Sequence, residues 1–162
     1  MDELVSSFNL YIQVSLPGLG DNEEHEEHID FEDFADIDQN LFKEERKYLR
    51  TFAVDFGTAM VFGFNNPKKS VILNTLKMHL LEMINAGKLP SDFMEKLTER
   101  MLEYTEAVKT PSNIGPHYNV GVVFASQFGC GLDSSIVARG TILFCSDIKL
   151  VKSVLQSIKI SF

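Results

Sequence analysis

Two histidines three residues apart sit among carboxylates in His25-Glu26-Glu27-His28. On a helix the two rings could share a face and hold a divalent metal with Glu24 or Asp30. The metalloprotease pattern is His-Glu-x-x-His, so this run is one residue short. Mutual repulsion among the acids favours an extended, solvated loop, which leaves His25 and His28 as weak candidate ligands. The next residues, Ile29 to Asp38, interleave acids with Ile29, Phe31, Phe34 and Ile37. A purely solvated linker has little use for two Phe and two Ile. Such a segment suits docking on a basic, grooved partner. It suits equally well docking on this protein's own body, where the lysines are. In the first reading Phe31, Phe34 and Ile37 are the anchors, and Glu32, Asp33 and Asp36 steer the encounter.

Other candidates are thinner. Gly63-Phe-Asn-Asn-Pro-Lys68-Lys69-Ser70 resembles a phosphate-binding loop between strand and helix. Lys68 stands where that motif needs its second Gly, and Pro67 removes an N–H, so the backbone cradle fails. Val54-Asp55-Phe56-Gly57-Thr58 is similar to the phosphate-loop motif of the actin and Hsp70 ATPases. That family needs two large lobes, and the likeness here is confined to five residues. Cys130, between two glycines, could be an exposed thiol, but nothing marks a partner base. His79 falls on a helix flank and His117 follows Pro116; neither belongs to a nucleophile constellation. Asp133-Ser134-Ser135 is explained as turn chemistry. No cofactor motif survives, so no cofactor is expected.

The elements that must position these residues point to an α+β fold. Phe8 to Leu16 alternates apolar and polar residues and reads as a half-buried strand. Asn40 to Arg50 has helical spacing. Arg50 to Phe64 fits both a strand and a helix, and Gly57, Thr58 and Val61 tip it toward strand. Lys68 to Ala86 reads as a helix, with Asn66 as cap, Pro67 in the first turn and Gly87 at the end. Ser91 caps a second helix with Phe93, Leu97, Met101, Tyr104 and Val108 inward. His117 to Phe128 and Ser135 to Cys145 read as a hairpin. Ser146 or Asp147 caps a last helix carrying Ile148, Val151, Val154, Leu155 and Ile158.

An internal echo supports the strand reading of the middle. Gly57-Thr58-Ala59-Met60-Val61-Phe62 leads to Lys69-Ser70-Val71-Ile72-Leu73, as Gly140-Thr141-Ile142-Leu143-Phe144 leads to Lys152-Ser153-Val154-Leu155. The chain then reads as two pseudo-repeated strand–strand–helix halves, although the gaps differ and chance similarity stays open. The expected architecture is a small, mainly antiparallel sheet with helices on one face. If residues 50–64 are helical, it becomes a helical cluster plus a hairpin. Open sheet edges would make a homodimer plausible.

The paired strand–helix halves resemble, loosely, the chemotaxis phosphatases that act on phosphorylated response regulators. Their helices carry Asp/Ser-x3-Glu-x2-Asn. Ser91, Glu95 and Thr98 have that spacing, with Thr98 in place of the Asn that positions the attacking water. The resemblance covers one short helix and implies a small enzyme as the alternative to a binding protein.

Charge decides between function classes. The chain has 23 acids and 15 bases in 162 residues. Ten of the acids, and no base, fall in the eighteen residues from Asp21 to Asp38, which accounts for the net charge of −8. Without that run, 13 acids face 15 bases. An acidic protein with no basic footprint is not a nucleic-acid binder. No apolar stretch approaches the roughly 20 residues of a membrane helix, and the acidic start lacks the basic region of a secretory signal. Cys130 and Cys145 lack metal-ligand spacing and read as reduced thiols, hence a cytoplasmic protein. One domain, residues 1–162, with an acidic insertion at 21–38, is expected. The expected function is a non-enzymatic regulatory or adaptor protein binding a basic protein partner. A metal-assisted enzyme or phosphatase, and a small-ligand sensor, are the alternatives.

Overall fold

Asp38 begins the central element. Its carboxylate accepts from the backbone N–H groups of Asn40 (2.8 Å) and Leu41 (3.0 Å), donors that a first helical turn leaves open. From there helix α1 runs over Gln39–Phe62. The structure, a computed structural model, describes residue 34 and residues 36–160, without the side chains of 158–160. Four further helices follow: α2 (Pro67–Asn85), α3 (Phe93–Lys109), α4 (Pro116–Ser126) and α5 (Ser134–Ile160).

Helix α1 packs against α2, α3 and α5, and α4 lies against both α3 and α5. Being surrounded, α1 buries nearly every residue from Glu45 to Val54 rather than one stripe. One apolar core draws on all five helices. Phe52 of α1 packs on Tyr104 of α3 (ring centroids 5.2 Å) and stacks on Phe144 of α5 (5.5 Å). Burying a ring such as Phe52 contributes about 2–3 kcal/mol.

The expected α+β architecture is wrong. No strand or sheet occurs among the described residues: residues 50–62 are helical, and the two supposed hairpin arms lie in two helices, α4 and α5, joined by a turn. The physical reason lies in the glycines and β-branched residues that were read as strand. Gly121 of α4 and Gly140 of α5 bring two helix backbones together. A Cβ at Gly121 would stand 2.2 Å from Thr141 Oγ1 and 2.5 Å from the Val137 carbonyl oxygen. Gly57 does the same for α1, where a Cβ would lie 2.9 Å from Val151 Cγ1. Tertiary contact outweighs the weak helix propensity of Gly, Thr and Val. With the strands go the two pseudo-repeated halves, the sheet edges that suggested a homodimer, and the topology behind the phosphatase resemblance. The Phe8–Leu16 strand lies outside the described residues.

Several local expectations hold. The Asn66 side chain accepts from Lys68 N (2.9 Å) with Pro67 at the start of α2. Ile72, Leu76, Leu80 and Met83 are its buried face. Phe93, Leu97 and Tyr104 are buried on α3, which starts after Asp92 rather than directly after a Ser91 cap. The last helix starts far earlier than Ser146, and Asp133 caps it through Ser135 N (2.9 Å) and Ile136 N (3.2 Å).

Candidate functional site

The acidic run ends in a built joint. Ile37 N donates to the Phe34 carbonyl (3.0 Å). The Gln39 side-chain amide donates to the carbonyls of Phe34 (2.9 Å) and Ile37 (3.1 Å). This closes a tight turn that aims both apolar side chains inward. Phe34 is 2% exposed and packs on Phe42 (4.6 Å between centroids). Phe42 in turn meets Phe124 and Phe128. The Arg139 guanidinium of α5 covers the Phe34 ring at 5.9 Å, within cation–π range. Ile37 is also buried, whereas Asp36 and Asp38 are exposed. Phe34 and Ile37 are therefore occupied by this protein's own core. Of the six expected contact residues, Asp36 alone is described and exposed; Phe31, Glu32 and Asp33 lie outside the described residues, as do His25 and His28.

One turn further on, α1 carries a belt of buried charge. Arg46 donates twice to Asp147 of α5, with Nη2 to Oδ1 at 2.8 Å and Nη1 to Oδ2 as the second bond; both side chains are 5% exposed. Glu45, 3% exposed, accepts from Arg100 of α3 at Nε (2.7 Å) and Nη2 (2.8 Å). Glu44 Oε1 accepts from Lys96 Nζ (2.8 Å) and from the Tyr48 hydroxyl (3.0 Å). The Lys96 hydrogen bond holds the Glu44 carboxyl below its usual range, against a smaller opposing effect of burial. Burial, then the bond to Glu44, pushes the Tyr48 phenol up. The bond to Glu45 holds the Arg100 guanidinium ionised more firmly still. Burial raises Tyr104 as well, and its hydroxyl finds no hydrogen-bond partner among the described residues.

Forked Arg–carboxylate pairs fix geometry as well as charge. Arg46–Asp147 and Glu45–Arg100 clamp α1 to α5 and α3, so α1 is held in both rotation and register. Each of these carboxylates is already engaged by a base, which suits orientation of helices rather than proton transfer. The sequence carried a signal for this belt. Glu45 and Arg46 share helical spacing with Phe42, Leu49 and Phe52, and Asp147 with Phe144, Ile148 and Val151. A charge in core register requires a buried partner.

The remaining sequence candidates are dispersed. His117, in the first turn of α4, packs its ring against Phe56 (6.1 Å) and Phe144 (5.7 Å). Cys130 lies in the α4–α5 connection and Cys145 on α5; both are free thiols, and burial raises the Cys145 pKa. Ser91, Glu95 and Thr98 are exposed around the first turns of α3, and the Thr98 hydroxyl donates back to the Met94 carbonyl (2.8 Å). No grouping of His, Cys, Asp and Glu able to hold a metal occurs among the described residues. Among them, too, no helix is long and apolar enough to cross a membrane.

Comparison with protein-family models, with curated proteins and with solved structures finds no match to this chain.

Proposed function

We propose that this is a non-enzymatic regulatory or adaptor protein that binds a basic protein partner through its acidic segment. The observation that carries the reading is charge segregation at a fixed joint. Residues 1–38 hold twelve acids and no Lys or Arg, while residues 39–162 hold eleven acids and fifteen bases. Phe34 and Ile37 tie the first part to the second beside Arg139. A block of one sign on a defined anchor steers an oppositely charged protein and raises its association rate. With Phe34 and Ile37 turned inward, Phe31 is the apolar anchor and Glu32, Asp33 and Asp36 supply the steering. The free thiols Cys130 and Cys145 support a reducing compartment, the cytoplasm.

The test is capture from extract of the cell of origin. The bait is the full chain or a full-length variant with its acids from Asp21 to Asp33 changed to Asn and Gln. A partner held by the first bait, absent from the second and released by salt is the expected result. The same proteins on both baits would remove the acidic segment from the function.

A further inference from the structure

The outward face of α5 carries apolar and basic side chains among serines, and no acid. Ile142 is 66% and Leu150 38% exposed, and Lys149 is exposed between them, with Lys152 half-buried beside it. Asp147 is the one acid in α5, and it is turned inward onto Arg46. Helix α4, packed alongside, contains no acidic residue. This face has the chemistry that an acidic segment with apolar anchors would cover.

The chain itself contains such a segment, delivered to the same helix. Phe34 is fixed beneath Arg139, one turn before Ile142. From Arg139 to Lys152 the helix rises about 20 Å. Residues 21–33 can span about 40 Å when extended. Phe31 lies three residues before the anchor, within chain reach of Ile142 and Leu143, and Glu26, Glu27 and Asp30 are far enough along the chain to span to Lys149 and Lys152. We propose that Asp21–Asp33 docks in cis along the outward face of α5, with Phe31 over Ile142 and acids on Lys149 and Lys152. The partner proposed above then competes with α5 for the same acids. This inference concerns the segment's resting state, so it rests on that reading only for its regulatory meaning.

Zero-length carbodiimide cross-linking of the purified full chain tests it without any partner. Normal and heavy-nitrogen-labelled protein are mixed before reaction, and linked peptides are mapped by mass spectrometry. The expected links join acids of residues 21–33 to Lys149 or Lys152, with both ends carrying the same isotope. They fall at least tenfold in high salt and in the Lys149→Glu/Lys152→Glu variant. Links to Lys77, Lys88 and Lys109 at equal yield, or no links at all, would overturn the docking. Links of mixed isotope would assign the occupant to a second copy and overturn docking in cis. None of these outcomes depends on whether a partner is captured, so the two proposals fail separately.

Discussion

Charge is handled in opposite ways on the two sides of Asp38. After it, four of the described ion pairs match acid to base across helices: Asp147 with Arg46, Glu45 with Arg100, Glu44 with Lys96 and Asp55 with Lys69. Before it, the sequence offers acids and no Lys or Arg. Matched charge is spent inside the fold, where it sets helix register. Unmatched charge raises self-repulsion and stabilises nothing within its own segment. Its use lies in what it attracts from elsewhere, on this chain or another.

The largest expected effect comes from breaking the most deeply buried match. Asp147→Asn removes the forked carboxylate from the buried Arg46 guanidinium and costs about 3–5 kcal/mol, read from denaturant unfolding. Replacing both residues by apolar ones of similar volume recovers most of that loss. A small effect from the single change would mean that the belt is more hydrated than its geometry implies.

Phe34→Ala strikes the joint between the two regions. It removes a buried ring and the surface that Arg139 covers, at a cost of about 2 kcal/mol. That is lower than for a mid-helix Phe, because the turn that holds Phe34 precedes α1 and can open without unfolding the bundle. Gly121→Ala tests a charge-free contact. A methyl group there meets the Thr141 hydroxyl and the Val137 carbonyl. Overpacking, less the gain in helix propensity, leaves about 1–2 kcal/mol of destabilisation in thermal unfolding.

The half-buried match of Glu44 with Lys96 is worth least. The Glu44 carboxyl is held below its ordinary value of 4.5, so its contribution is present above that value and lost as pH falls through the lowered one. Glu44→Gln should therefore melt slightly below the parent at neutral pH, with the gap closing in acid. A gap that persists in acid would mean that Glu44 acts through packing and not through its charge.

Helices with one apolar stripe were legible in the sequence, and helices packed on several sides were not. Helix α2 shows caps, a terminal Gly and a stripe, so its span is close to the expected one. Helices α1, α4 and α5 carry Gly and β-branched residues where backbones approach, and these residues mimic strand composition. Two start signals existed beside them. Pro116 at a first helical position and Asp133 before Ser134-Ser135-Ile136 both begin helices, although Asp133 also fits plain turn chemistry. The site was legible as a cluster of acids and aromatics. Docking on the protein's own body is one of the two readings the sequence allows there; that Phe34 and Ile37 take it depends on Phe42 and Arg139, distant groups that local spacing does not reveal.

The central claim is that the unmatched acids, and not the matched ones, bind the partner. The most direct measurement is the dissociation constant of the purified complex as a function of salt, for the full chain and for the variant with residues 21–33 neutralised. The account predicts affinity that falls steeply with salt for the full chain, and weak, nearly salt-independent binding for the variant. Equal affinity and equal salt dependence for both would contradict it.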